Sequence, residues 1–148
     1  MKAIMALWHL SNKGKTETLR ELASYLEWFH GVTRNNIPYP PSAPTGPDIR
    51  CLFNINGITV AIDSQGDPNT NLLARLRDLV TTHKADVIFC ATRTRGETVG
   101  AVESIQAMGY DLIWTSSYHL CNSGSTAHAN RLKAQHMVEL MKQLRYLP

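Results

Sequence analysis

Residues 2–16, KAIMALWHLSNKGKT, decide the fold because they join an apolar run to a short polar turn. Residues 2–10 are almost continuously apolar, as expected for a strand that is covered on both faces of a sheet. From Thr16 onward, apolar side chains recur at helical spacing. They are Leu19, Leu22, Ala23, Leu26 and Phe29. The pattern predicts a buried strand, a polar turn and an amphipathic helix.

The rest of the chain continues to alternate strands with helices. Two apolar runs at 50–55 and 58–63 flank Asn56-Gly57, a dipeptide typical of tight hairpins, so these strands are predicted to be antiparallel neighbours. The remaining predicted elements are a helix capped by Asp67 and opened by Pro68, a strand at 86–91, a helix at 97–108, a strand at 111–115 and a final helix after the loop 116–126.

This order predicts an α/β fold, a three-layer sandwich around a mostly parallel five-stranded sheet with one antiparallel strand. Residues 31–48 interrupt the pattern with prolines, which exclude a regular helix or a central strand and predict an exposed loop. These prolines are Pro38, Pro40, Pro41, Pro44 and Pro47.

Composition favours a single soluble domain spanning residues 1–148, with 43% apolar and 18% charged residues. The net charge of +3 suits an anionic ligand but is too small to predict nucleic-acid binding. The three cysteines form no C-x-x-C pair, which favours a reducing, cytoplasmic setting over a disulfide framework. No apolar run approaches the ~20 residues of a membrane helix.

The polar turn carries the chemistry that a polyphosphate requires. Backbone N–H groups of a tight loop and the positive end of a helix bind phosphate oxygens, a lysine reaches the outer phosphates, and a hydroxyl group holds Mg²⁺. The candidate loop residues are Ser11, Asn12, Lys13, Gly14, Lys15 and Thr16. Gly14 permits close approach of the backbone, Lys15 is the phosphate-binding cation and Thr16 is the candidate metal ligand.

In these residues the chain resembles the P-loop NTPase superfamily, whose Walker A pattern is G-x-x-x-x-G-K-[ST]. His9 replaces the first glycine of that pattern, and Glu17 follows Thr16 where a Thr or Ser is common. The resemblance extends to the run Asp63-Ser64-Gln65-Gly66, which is similar to the D-x-x-G of GTPase-like members. It implies that Asp63 binds Mg²⁺ and that the N–H of Gly66 senses the γ-phosphate.

Two arginines extend the candidate site. Arg93 and Arg95 follow the strand predicted at 86–91, at the end where open α/β sheets bind ligands. They are candidates for stabilising a transferring phosphate or for holding an anionic acceptor. The guanine-reading motif [NT]-K-x-D is missing from this region, so adenine is the expected base.

The sequence therefore favours a nucleoside-triphosphate-binding protein that takes ATP with Mg²⁺ and hydrolyses it slowly. Hydrolysis is expected to be slow because no catalytic base is obvious, and small P-loop proteins often need a protein partner or a second copy. One alternative is a small-molecule or nucleotide kinase, with Arg93 and Arg95 on the acceptor. Another is a non-catalytic binding module, which His9 and Glu17 favour.

Two expectations concern packing. Trp8, Trp28 and Trp114 lie in apolar runs and are predicted to be core residues. The final helix is predicted to cover the sheet with an apolar stripe containing Leu132, and to turn Lys133 and its other basic residues toward solvent.

Overall fold

The computed structural model describes residues 1–8, 15–41, 43, 48–67, 69–93, 96–118 and 123–148, with the backbone alone described at Lys15 and Ser123. The strands are β1 (Ala3–Trp8), β2 (Asn35–Asn36), β3 (Arg50–Ile55), β4 (Ile58–Asp63), β5 (Val87–Thr92) and β6 (Asp111–Ser116). The helices are α1 (Lys15–His30), α2 (Leu72–Thr81), α3 (Glu97–Gln106) and α4 (Thr126–Gln143), and a short 3₁₀ turn at Ser123–Ser125 precedes α4.

The sheet is mostly parallel, as predicted. Its strand order is β2-β3-β4-β5-β1-β6, and β3 alone runs against the other strands. The sheet has six strands instead of the predicted five, because Asn35 and Asn36 pair with Leu52 and Cys51 at the edge. Two asparagines without apolar alternation gave no strand signal in a segment that was predicted to be a loop.

The hairpin between β3 and β4 confirms the prediction from Asn56-Gly57. Both residues have positive φ angles, 51° and 85°, as a tight turn between right-twisted strands requires. The turn fixes the register so that Arg50 lies opposite Asp63. The hairpin therefore brings the start of β3 beside the end of β4.

Helices cover both faces of the sheet and make it a three-layer structure. α1 and α4 pack on one face, against a cluster that includes Met5, Phe53 and Phe89. α2 and α3 pack on the other face, against a cluster that includes Ile4 and Ile88. None of the helices within the described ranges is both long and apolar enough to cross a lipid bilayer.

The start of α2 differs from the prediction. The helix begins at Leu72, and the side chain of Asn71 caps it by accepting a hydrogen bond from the N–H of Ala74. Asp67 is therefore not the N-cap, since it lies four residues upstream of Asn71. The carboxylate of Asp67 forms an ion pair with Arg93 instead.

The predicted burial of three tryptophans is wrong. Trp28 is 78% exposed, Trp8 is 36% exposed and Trp114 is 38% exposed. Trp8 ends β1 and Trp114 lies on the edge strand β6, where α3 leaves the sheet partly uncovered, and both line a shallow groove beside α3. An apolar run shows that a strand is buried as a whole, but it does not show which strand is at the edge.

The prediction for α4 is also wrong at two adjacent positions. Leu132 is 48% exposed, whereas Lys133 is only 7% exposed and points toward the sheet. The sheet-facing side of α4 consists of Asn130, Lys133, Ala134, Met137, Val138 and Met141. The helix is therefore rotated relative to the apolar stripe that its leucines predict, and it carries two polar residues inward.

Two of the three cysteines are buried thiols. Cys51 and Cys90 are free, and burial raises the pKa of the Cys51 thiol to about 11. Such thiols behave as small apolar side chains, since little thiolate forms at neutral pH. Cys121 lies outside the described residues.

Candidate functional site

The parallel strands all end at one edge of the sheet, which is here called the carboxyl edge. The chain leaves β1 toward α1 on one face, and it leaves the neighbouring β5 toward α3 on the opposite face. Open α/β sheets bind ligands where neighbouring strands send their connections to opposite faces, because the connections diverge and leave a crevice. The carboxyl ends of β1 and β5 are that point in this sheet.

The predicted phosphate-binding loop falls between the end of β1 and the start of α1 in the sequence. Ser11, Asn12, Lys13 and Gly14 are outside the described residues, as is His9. α1 begins at Lys15, directly after them, so the N-terminus of a 16-residue helix is at the carboxyl edge. The positive end of the helix dipole and the unpaired N–H groups of the first turn favour an anion there.

Thr16 meets a carboxylate that the sequence interpretation did not include. The hydroxyl of Thr16 donates to Asp48 Oδ1 at 2.9 Å. The hydroxyl of Ser64 donates to the same oxygen at 3.2 Å and accepts from the N–H of Ile49 at 2.9 Å. Three side chains from separate parts of the chain thus form an oxygen cluster at the start of α1.

Asp63, the predicted metal ligand, is in a different environment. It is fully buried, Arg50 Nε lies 3.2 Å from its Oδ2, and Arg75 Nη1 pairs with its Oδ1. Burial raises the pKa of Asp63, and the guanidinium groups of Arg75 and Arg50 oppose that rise. With a guanidinium on each oxygen, we treat the carboxylate as ionised at neutral pH.

Hydrogen bonds also hold both arginines in place. Every nitrogen of both guanidinium groups donates a hydrogen bond. Besides Asp63, the acceptors are Pro38 O, Arg75 O and Asp78 Oδ2 for Arg50, and Thr70 O, Thr70 Oγ1 and Gln65 O for Arg75. This arginine–Asp63 cluster joins β3, β4, α2 and the loop between β4 and α2. A metal role for Asp63 stays a prediction, and it would require one arginine to leave its oxygen.

The D-x-x-G loop after β4 is held against the sheet. A Cβ atom on Gly66 would lie 2.8 Å from the carbonyl carbon of Ala91 and 2.9 Å from the N atom of Thr92. Gly66 is therefore required here for close approach to the end of β5. Its predicted contact with a γ-phosphate stays a prediction.

Of the two arginines that follow β5, the structure describes Arg93. Arg93 Nη2 donates to Asp67 Oδ1 at 2.9 Å, and its side chain is 31% exposed. The N–H of Arg93 donates to the hydroxyl of Thr98 at 3.1 Å, which fixes the backbone at the crevice. Arg95 lies outside the described residues. Arg93 is thus at the carboxyl edge, as predicted, with one carboxylate partner.

A signal for Asp48 was present in the sequence. The Asn56-Gly57 turn fixes the antiparallel register, in which paired residue numbers add up to 113, as for Arg50 and Asp63. Continuing that register places Ile49 opposite Ser64, and so brings Asp48 to the end of β4. The position of Asp48 was not predicted, because the prolines just before it led to the interpretation of this segment as an exposed loop.

The oxygen cluster contains one carboxylate and two hydroxyl groups. Among the residues that the structure describes, no group of three or more His, Cys, Asp and Glu side chains is placed to hold a metal. Mg²⁺ does not need such a group, because it binds proteins through one or two carboxylates or hydroxyls and takes its other ligands from substrate phosphates and water. The donors at Thr16 and Asp48 therefore fit Mg²⁺ bound together with a phosphate ligand.

No known protein family, curated protein or solved structure matches the chain.

Proposed function

We propose that this protein binds a nucleoside triphosphate with Mg²⁺ at the carboxyl edge, with the phosphates at the N-terminus of α1. The observation that carries the proposal is the hydrogen bond of 2.9 Å between the hydroxyl of Thr16 and the carboxylate of Asp48. It joins the first turn of a helix, where phosphate binds, to a carboxylate that suits a divalent cation. The crevice between the ends of β1 and β5 supports the same location.

Each residue then has a defined task. Lys15 contacts the outer phosphates, and Thr16 and Asp48 hold Mg²⁺, with Ser64 orienting Asp48. Bound Mg²⁺ supplies positive charge that neutralises the phosphate oxygens. Arg93 is a further cation at the same edge, and the arginine–Asp63 cluster holds the loop that carries Ser64.

We propose that any hydrolysis is slow. The carboxylates at this edge already have partners: Asp48 accepts from two hydroxyl groups, Asp67 pairs with Arg93, and Asp63 pairs with Arg50 and Arg75. A general base needs an oxygen within hydrogen-bonding reach of the attacking water. Asp63 and Asp67 would each have to leave an arginine to act as a general base, and Asp48 is assigned to the metal, so we expect slow turnover. Adenine remains the proposed nucleobase.

Calorimetric titration with ATP and GTP, with and without Mg²⁺, tests this proposal. We expect Mg²⁺-dependent binding in the wild type and its loss in Lys15→Ala. Asp48→Asn keeps the acceptor for Thr16 but removes the charge, so its affinity in Mg²⁺ should fall about 10-fold or more, while binding without Mg²⁺ changes little. The matched control is Asp86→Asn, since Asp86 accepts from the N–H of Thr59 at the opposite edge of the sheet.

Two results would contradict the proposal. If the folded wild type binds neither nucleotide, the protein does not act on nucleoside triphosphates. If Asp48→Asn and Asp86→Asn show the same Mg²⁺ dependence as the wild type, the oxygen cluster does not bind the metal. If an added acceptor accelerates ATP consumption, the protein is a kinase instead of a hydrolase.

A further inference from the structure

Lys133 is a buried lysine near the carboxyl edge. Its side chain extends from the sheet-facing side of α4, and the residue is only 7% exposed. Nζ donates to the hydroxyl of Thr115 at 2.5 Å and lies 5.4 Å from the centre of the Tyr118 ring. Desolvation lowers the pKa of this ammonium group.

Among the residues that the structure describes, no carboxylate pairs with the charge of Lys133. All 12 Asp and Glu residues of the protein lie in the described ranges, and none of them forms an ion pair with Lys133. An ammonium group has three N–H donors, and the described residues accept from it once, at Thr115. Buried charges are normally paired, so an unpaired one suggests an anion from outside the chain.

The position of Lys133 is close to the proposed phosphate site. Thr115 is the next-to-last residue of β6 and lies beside Leu7, near the end of β1. The hydroxyl of Thr18, in the first turns of α1, donates to Asn130 of α4 at 3.3 Å. Lys133 is one turn after Asn130 on the same side of α4, so it lies between the start of α1 and the end of β6.

We propose that Lys133 binds an oxyanion of the ligand held at the carboxyl edge, and that this oxyanion is a phosphate group of the nucleotide. The inference rests on the proposed function for the identity of the ligand, but the chemistry that Lys133 recognises is that of a phosphate oxygen from any source. The anion supplies the missing counter-charge and accepts from the two remaining N–H donors. Lys133 is then a second phosphate-binding lysine, which enters from α4 instead of the loop.

Lys133→Met tests this role because methionine keeps the length and apolar stem of the side chain and removes the charge. Without ligand, this variant should be at least as stable as the wild type in urea unfolding, because an unpaired buried charge has been removed. With Mg²⁺ and ATP, its affinity in calorimetry should fall about 10-fold, as should its affinity for inorganic tripolyphosphate. Lys142→Met is the matched control, since Lys142 lies on the same helix and already has Glu139 within 3.9 Å.

The outcomes separate this inference from the proposed function. Unchanged affinity for both ligands in Lys133→Met, together with lower stability without ligand, would overturn the role of Lys133 and leave the nucleotide site intact. If the wild type binds neither ATP nor tripolyphosphate, the proposed function fails, and inorganic phosphate becomes the probe. Phosphate that stabilises the wild type but not Lys133→Met, at constant ionic strength, would then support an oxyanion site, and equal behaviour would overturn it.

A second variant guards against a folding defect. Lys133→Gln keeps an N–H donor for the hydroxyl of Thr115 but carries no charge. If Lys133→Met does not fold, Lys133→Gln should fold and show the same loss of affinity for tripolyphosphate. If a folded Lys133→Gln protein binds tripolyphosphate with wild-type affinity, the charge of Lys133 does not bind the oxyanion.

Discussion

Two buried charges near the carboxyl edge have opposite surroundings. At the end of β4, Asp63 lies between Arg50 and Arg75, and every nitrogen of the two guanidinium groups has an acceptor. Near the end of β6, Lys133 makes one hydrogen bond to a hydroxyl group and one contact with an aromatic ring among the described residues. Both groups are less than a tenth exposed, so solvent supplies little counter-charge to either.

We propose that this difference separates a structural charge, Asp63, from a ligand-binding one, Lys133. In the arginine–Asp63 cluster the buried charges compensate one another and every guanidinium nitrogen has an acceptor, so the cluster fixes the elements that contribute to it. A buried ammonium group with unused donors keeps the capacity to bind a ligand. The sequence predicted that Lys133 would face solvent, which is wrong, and that Asp63 would bind a metal, which stays a prediction.

Breaking the arginine–Asp63 cluster should have the largest effect on stability. Asp63→Asn removes the charge that compensates two buried guanidinium groups, and its amide NH₂ must face a donor. We expect the free energy of unfolding to fall by about 3–5 kcal/mol, measured by urea denaturation. Asp78→Asn is the control, since Asp78 contacts Arg50 but is itself 20% exposed, and it should cost only about 1 kcal/mol.

One combination of results would reverse the comparison. If Asp63→Asn is as stable as the wild type but loses Mg²⁺-dependent nucleotide binding, then Asp63 is a metal ligand. The arginines would in that case leave Asp63 when the metal binds, and the cluster would be the resting arrangement of a switch. Loss of stability with little change in Mg²⁺ dependence would confirm the structural assignment.

A substitution in the loop after β4 should also lower the free energy of unfolding, but by less. Gly66→Ala places a Cβ atom 2.8–2.9 Å from backbone atoms of Ala91 and Thr92, so the loop or β5 must shift. We expect a loss of about 1–3 kcal/mol in urea denaturation. Gly100→Ala is the matched control, because nothing lies within 4 Å of its Cβ position inside α3, and it should gain about 0.5–1 kcal/mol. Equal effects of the two changes would show that the loop is not held against β5.

The sequence predicted the presence of most helices and strands better than their exact starts and their pairing. The β3–β4 hairpin follows from Asn56-Gly57, because only a few turn types accept two positive φ angles and they set the register at once. The strand β2 was missed because two residues carry no periodicity. The start of α2 was misplaced because Asp67 and Asn71 are both good caps, and local sequence does not decide between them.

The candidate site could be predicted from the sequence only where its residues are neighbours in the sequence. The run from Ser11 to Thr16 is contiguous, so its motif can be found in the sequence. Of this run, the structure describes the side chain of Thr16 alone, which lies at the carboxyl edge. The contact of Thr16 with Asp48 joins residues 32 positions apart and depends on how the hairpin packs beside α1. The inward orientation of Lys133 depends on the rotation of α4, and the leucines of that helix indicated a different rotation.

The smallest effect that we predict is a pH dependence specific to Lys133. Desolvation lowers its pKa in the folded protein below the ordinary value of 10.5. Between the lowered pKa and about 10.5, the unfolded chain binds a proton that the folded chain does not, so stability rises with pH in this window. Stability rises by about 1.4 kcal/mol for each pH unit within this window.

The comparison with Lys133→Met isolates this contribution, because Tyr39, Tyr110 and Tyr146 also titrate at high pH but are common to both proteins. Without ligand, the stability of the wild type relative to the variant should increase as the pH rises toward 10.5 in urea denaturation. Saturating Mg²⁺ and ATP should flatten that difference, because a bound phosphate supplies the counter-charge and brings the pKa of Lys133 back up. If the difference in unfolding free energy between the two proteins does not change with pH in the absence of ligand, burial does not lower the pKa of Lys133. If the difference still rises with pH when Mg²⁺ and ATP are bound, the bound phosphate does not contact Lys133.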